Sequence, residues 1–256
     1  MSPAFTEAFA ALPRIGLVEG PSPLCKAPEL AGRAGIGTLR LKRDDLFPAL
    51  WGGTKVRKLD LLLAVEPFRS APAWVVAGAV GSGQVAAVVA AGQRFSRPVH
   101  AHLFCTPLHA HGRENLAWTA SHAAVLHAYR SQVDLALRAP GVVLGRSTGA
   151  GAVVPIGATS PRGMLGCVLG GIELAAQIAT SPDPAPDAVY VALGSGGTAA
   201  GIAVGLALAG IDVPTQFRRG GRSSGGSSAG ARARYPPTRS PSAASNPPNR
   251  NAKPAS

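Results

Sequence analysis

Two lysines three residues apart, Lys55 and Lys58, follow the pair Gly52-Gly53 in the run Gly-Gly-Thr-Lys-Val-Arg-Lys-Leu. Val56, Leu59, Leu62 and Leu63 recur at helical spacing, which predicts a helix over 53–65 with both lysines on one face near its start. A helix N-terminus offers unpaired N–H groups and a partial positive charge, so it suits an anionic ligand. Partial burial and nearby cations lower an amine's pKa from its usual value near about 10.4, favouring the neutral nucleophile that condenses with a carbonyl. One lysine would then bond covalently while the other meets a phosphate. Charge alone also describes a solvated basic face made of Lys42, Arg43, Lys55, Arg57 and Lys58.

Two glycine-rich runs complete the candidate chemistry. Gly78-Ala79-Val80-Gly81-Ser82-Gly83-Gln84 follows an apolar stretch and precedes an Ala/Val-rich one. Small residues there let the backbone approach a ligand, and N–H groups exposed at such a turn suit a carboxylate; a plain strand-to-helix turn accounts for the composition equally well. Gly194-Ser195-Gly196-Gly197-Thr198 stands in the same kind of setting. Successive glycines let N–H groups converge on a phosphate. No lysine closes the run, so it is not the nucleotide-binding G-x-x-x-x-G-K-[ST] loop.

Strands and helices alternate around these runs. Strands are expected over 38–42, 73–78, 98–104, 123–129 and 188–193, and helices over 53–65, 83–93, 113–120, 163–179 and 198–209. That alternation implies parallel β-α-β units and an α/β fold. The glycine-rich stretch 139–151 places the join between two lobes near its end.

The run Lys42-Arg43-Asp44-Asp45-Leu46, with Gly53-Thr54-Lys55-Val56-Arg57-Lys58-Leu59 a short spacer later, resembles the paired KRDDL and GGNKxRKLE signatures of the 1-aminocyclopropane-1-carboxylate deaminase and D-cysteine desulfhydrase family. The resemblance spans about residues 13 to 215 and implies a pyridoxal 5'-phosphate enzyme of the tryptophan-synthase-β fold type. It casts Lys55 as the lysine that carries the cofactor and Lys58 as a phosphate contact. Ser82 and Gln84 match a loop whose serine acts on the substrate, while Gly83 replaces an asparagine beside the cofactor ring and Thr54 replaces another in the lysine motif. Gly194, Ser195, Gly196, Gly197 and Thr198 match the phosphate cup. The implied reaction converts a small amino acid, 1-aminocyclopropane-1-carboxylate or one like D-cysteine, to a 2-oxo acid and ammonia, in a homodimer. The implied layout is two open twisted parallel-sheet lobes with helices on both faces. Residues 1–57 and 156–215 belong to a large cofactor domain, and 58–155 to a small one.

Of the 256 residues, 25 are basic and 13 acidic, a net charge of +12. Eight of the basic residues lie in 216–256, which has no acidic residue and, apart from Phe217 and Tyr235, no large apolar one. Such a segment is expected to be disordered and, if it binds nucleic acid, to do so without specificity. Family members continue past this point, so the large lobe reads as truncated or frameshifted, with an open sheet edge prone to aggregate. Three widely separated cysteines and the lack of an apolar run of ~18 residues fit a soluble cytoplasmic protein. His100, His102, His109 and His111 have a spacing open to zinc, but no acidic or cysteine partner accompanies them; surface or loop positions are expected, and no metal.

Overall fold

The run Trp-Val-Val-Ala-Gly-Ala over 74–79 is apolar at every position, the pattern of a strand covered on both faces, and five of its six residues are buried. The computed structural model, which describes residues 3–47, 53–146, 149–194, 196–219 and 232–233, builds an α/β protein around it. In chain order come α1 (Pro3–Ala10), β1 (Leu24–Lys26), α2 (Pro28–Ala34), β2 (Arg40–Lys42), α3 (Thr54–Leu62), β3 (Trp74–Ala79) and α4 (Gly83–Arg94). Then follow β4 (Val99–Phe104), α5 (Ala110–His122), β5 (Val125–Tyr129), α6 (Gln132–Arg138), α7 (Pro140–Val143) and β6 (Ala152–Val154). The remainder is α8 (Pro161–Ala179), β7 (Val189–Leu193), α9 (Gly197–Leu208), β8 (Thr215–Arg219) and β9 (Arg232–Ala233).

One sheet has the order β5-β4-β3-β6 with every pair parallel. The two faces of β3 feed different cores. Trp74 and Val76 pack with Val56, Leu59 and Leu62 of α3 and with Val85 and Val88 of α4. Val75 and Ala77 pack with Tyr129, Leu135, Val142 and Val153, so α6 and α7 cover the second face. Strand β6 and helices α6 and α7 are absent from the sequence expectation: three to seven residues carry too little periodicity to identify.

Helices α8 and α9 pack together through small residues. A Cβ on Gly171 would stand 2.5 Å from the Ile202 carbonyl oxygen, and one on Gly201 would stand 2.5 Å from Cys167 Cβ. Gly166 abuts the Arg57 carbonyl in the same way, which seats α3 on the opposite side of α8. Helix α8 therefore fixes the distance between α3 and α9.

Strands β1 and β2 pair antiparallel, and a third sheet, of order β7-β8-β9, corrects two expectations. Residues 188–193 read as a buried strand, but along β7 half-buried and exposed residues alternate, with Tyr190 66% exposed. Period-2 exposure follows from the pleat, which turns successive side chains to opposite faces. The segment from 216 on is expected to lack structure. Strand β8 instead runs to Arg219, parallel to β7, and β9 pairs antiparallel with it. Ladder hydrogen bonds come from the backbone, so an absence of aliphatic side chains does not preclude a strand. The rest of that expected tail, 220–231 and 234–256, lies outside the described residues.

The histidines also divide. His109 and His111 are exposed, but His102 is buried, stacks on His127 at 4.3 Å between ring centroids and hydrogen-bonds the Tyr129 hydroxyl at 2.8 Å. The sheet register places His102 opposite His127, which is why a strand position, and not a loop, holds it. Among the described residues no group of three or more His, Cys, Asp or Glu is placed to hold a metal ion.

Candidate active site

Gly53, at φ 82°, turns the chain into α3 in a conformation that costs glycine nothing. From the first turns of that helix, side chains diverge to two sides. Arg57 reaches a buried polar network. It donates to Asp44 at 2.7 and 2.9 Å and to Glu173 at 2.8 and 2.9 Å. The Ser22 hydroxyl donates to Asp44 at 2.6 Å, and Lys42 pairs with Glu173. Two cations thus meet two carboxylates, and the two halves of the signature, Lys42-Arg43-Asp44 and Arg57, are tied to each other. Burial alone would raise the Glu173 carboxyl, but hydrogen bonds from Arg57 and Lys42 outweigh it and hold the group below its ordinary range. Burial likewise opposes the charged Arg57, yet Asp44 and Glu173 raise its pKa.

Lys55 and Lys58 occupy the other side. Lys55 Nζ lies 3.5 Å from the Gly157 carbonyl oxygen and Lys58 Nζ 3.4 Å from the same atom. The Thr159 hydroxyl also addresses that oxygen, at 3.4 Å. Three donors therefore share one neutral acceptor. Burial first, and then the neighbouring Lys58, lowers the Lys55 pKa. Lys58 itself is completely buried, the placement expected of a cation whose natural partner is an anion.

That anion has a second set of donors. Gly196 adopts φ 85°, ψ −20° before α9, and no side chain caps the helix start. The first-turn N–H groups are left for a ligand. A Cβ on Gly197 would come within 3.3 Å of Lys58 Nζ, so the bare glycine brings the helix end and the buried amine to a common point. A cavity of about 310 Å³ opens there, lined by Thr54, Lys55, Val191, Ala192, Gly194, Gly196 and Thr198. Beneath it Cys167 hydrogen-bonds Thr198, and burial pushes its thiol pKa up. Ser195 lies outside the described residues.

The Ser82 run is attached differently. Ser82 caps α4, accepting from the Val85 N–H at 3.5 Å, and Gly83 is exposed. Neither lines the cavity beside Lys55. Gln84 is buried and clamps the loop that faces the lysines. Its amide donates to the Pro155 carbonyl at 2.8 Å and accepts from the Gly157 N–H. Gln84 therefore touches the backbone on either side of Ile156, just ahead of the Gly157 carbonyl, and not that oxygen itself. Gly157 lies in the stretch Val154-Pro155-Ile156-Gly157, which extends the family resemblance, but its carbonyl has no residue-type signal; its φ of 75° is the trace it leaves.

A second cavity, about 240 Å³ beside Lys26, Arg40 and Asp183, holds the Lys26–Asp183 ion pair at 2.8 Å and hydrogen bonds from Arg40 to Ser181 and Pro184. Its charged groups already have partners. The cavity at Lys55 differs in holding a lysine that, among the described residues, has no carboxylate partner.

The family model described as pyridoxal-phosphate dependent enzyme matches residues 15–248, beyond the point near 215 where the motif resemblance is expected to end. The chain is 33% identical over 203 residues to D-cysteine desulfhydrase of Salmonella paratyphi C (strain RKS4594), covering 76% of this chain and 60% of that protein. It is 34% identical over 207 residues to D-cysteine desulfhydrase of Serratia proteamaculans (strain 568), covering 77% and 61%. The chain thus spans about three fifths of the length of these relatives. Among solved structures, an ACC deaminase homologue superposes with a TM-score of 0.68 at 28% identity, over 83% of this chain and 64% of that one. A fungal L-serine ammonia-lyase from Rhizomucor miehei shares the fold alone, with a TM-score of 0.61 at 20% identity, over 78% of this chain and 59% of that one. This chain belongs to the family of pyridoxal-phosphate dependent enzymes, in the tryptophan-synthase-β-like fold, with pyridoxal 5'-phosphate as its cofactor.

Proposed function

We propose that the chain carries a pyridoxal-phosphate-dependent lyase or deaminase that converts a small amino acid, of the D-cysteine or 1-aminocyclopropane-1-carboxylate kind, to a 2-oxo acid and ammonia. The observation that carries this reading is that Lys55 and the uncapped start of α9 line one cavity, with the buried Lys58 amine behind it, 3.3 Å from where a Cβ on Gly197 would stand. The residues fit the cofactor: a buried amine with no carboxylate partner and free helix N–H groups match a phosphate ester, and a lysine of lowered pKa stands beside them.

When bound, the cofactor supplies an electron sink for a carbanion next to the substrate nitrogen. This chain's residues do the rest. Lys58 and the N–H groups of Gly197 and Thr198 hold the phosphate. Lys55 would hold the cofactor, and its amine, when free, would accept and return a proton. Its lowered pKa makes the neutral form accessible at lower pH than for a free lysine. The Gly157 carbonyl, in the loop that Gln84 clamps, restrains where that amine rests. Ser82 and the first-turn N–H groups of α4, at Gly83 and Gln84, receive the substrate.

D-Cysteine is the first substrate to test, because the curated relatives above carry that activity in their names. The same reading takes the protein to be a cytoplasmic homodimer. With added cofactor, the purified protein is expected to absorb in the visible range, to be labelled at Lys55 by borohydride, and to release sulfide from D-cysteine. Lys55→Ala should abolish the label and cut turnover by about 10³-fold or more. A wild-type protein that stays colourless, or a label that persists in Lys55→Ala, ends this reading.

A further inference from the structure

Helix α5 buries only two residues fully, Asn115 and Thr119, and both are polar. The Asn115 amide donates to the Gly81 carbonyl at 3.0 Å, while its side-chain oxygen has no hydrogen-bond partner. Leaving a buried amide oxygen unpaired disfavours folding, and a leucine of similar shape would avoid that penalty. A purely structural position would therefore not favour asparagine. The place it occupies supplies a reason.

The Gly81 backbone is pressed against the start of α5. Its φ is 78°, and a Cβ there would stand 2.6 Å from the Gly112 carbonyl oxygen and 2.8 Å from a Leu108 methyl. Asn115 sits one turn further along α5 and takes hold of the same residue through its carbonyl. Two residues on, a Cβ at Gly83 would have one neighbour within 4 Å, the Asn115 amide nitrogen at 3.7 Å. The exposed turn that carries Ser82 thus rests on Gly112 and Asn115, with no other side chain beneath Gly83 at that distance.

We propose that Asn115 is a positioning residue for substrate binding. From α5 it fixes the backbone of Gly81 to Gly83, and through it the Ser82 hydroxyl and the first-turn N–H groups of α4 that receive the substrate carboxylate. This rests on the reading of the site as one for a small amino acid. It assigns Asn115 no contact with the cofactor, so its loss should separate substrate binding from cofactor binding.

The test uses the cofactor-loaded protein and two variants, Asn115→Leu, which removes donor and acceptor, and Asn115→Asp, which keeps the shape and removes the donor at neutral pH. Both should show wild-type visible absorbance and borohydride labelling. Both should raise KM for D-cysteine by about tenfold with kcat within about threefold, and should speed hydrogen exchange across residues 79–85 alone. Asn115→Asp should approach wild type as pH falls, relative to wild type at each pH, because a protonated carboxyl again donates to Gly81; Asn115→Leu should not. A folded variant of either kind with wild-type KM and wild-type exchange over 79–85 overturns the proposal. Should the wild-type protein not turn over D-cysteine, the functional reading is what fails, and the exchange measurement still decides the role of Asn115.

Discussion

The two sides of α3 hold the same kinds of cation in opposite circumstances. On one, Arg57 makes bidentate hydrogen bonds to both Asp44 and Glu173, and Lys42 pairs with Glu173. On the other, Lys55 and Lys58 share a single carbonyl oxygen at 3.4 to 3.5 Å. A closed network has no reason to bind anything further; a pair of amines without a carboxylate does. Residues of one short motif, within four positions of one another, thus divide into one paired with carboxylates and two that, among the described residues, have no carboxylate partner. Charge density alone does not separate the two; the presence of counter-charge does.

Breaking the closed side should have the largest effect on stability. Arg57→Met leaves Asp44 and Glu173 buried without their main partner, and such a loss costs about 3–5 kcal/mol. Urea unfolding of the cofactor-free protein should show it. An unchanged midpoint would mean that the network contributes little.

Lys58→Met sharpens the contrast, because it should act in the reverse sense. Removing a buried amine that has one distant acceptor should leave the cofactor-free protein at least as stable as wild type. Cofactor affinity, however, should fall by about 10–100-fold, the equivalent of a charged hydrogen bond. Titration followed by visible absorbance measures the affinity. A variant that is less stable yet binds normally would place Lys58 with the closed network.

Acid provides the gentlest probe. Burial, then the neighbouring rings of His127 and His100, lowers the His102 pKa to about 4. The unfolded chain therefore takes up a proton near pH 6.5 while the folded one does not. Stability should fall between pH 6.5 and 4, by at most about 1.4 kcal/mol per pH unit. The depressed Glu173 carboxyl acts in a lower window: its contribution is present above its unfolded pKa and lost as pH drops through the folded value. His102→Phe should flatten the upper slope and leave the lower one. A slope unchanged between pH 6.5 and 4 in that variant would remove His102 from the account.

Much of this arrangement is readable in the sequence, for identifiable reasons. The lysine pair is legible because i, i+3 spacing places two side chains on one helix face whatever the surroundings. The glycine cup is legible because few other residue types allow it. The division of the motif is not: Arg57 differs from Lys55 and Lys58 only in its rotation about α3, and its partner Glu173 lies 116 residues away. Asn115 is hidden because its helix has no clear apolar stripe against which a buried polar residue would stand out. Strands β6 and β8 escape for a related reason, since three residues, or a run without aliphatics, pair through backbone groups that composition does not report.

The glycines of α8 have a consequence for how this protein tolerates change. Gly166 meets the Arg57 carbonyl on one side, while Gly171 and Cys167 meet Ile202 and Gly201 of α9 on the other. The helix works as a spacer gauge whose thickness is the backbone itself, with the lysines mounted on one jaw and the glycine cup on the other. Adding one methyl group to that gauge leaves every reactive group chemically intact and moves the two jaws apart. Positions with no chemistry of their own therefore set the tolerance to which the reactive ones are held.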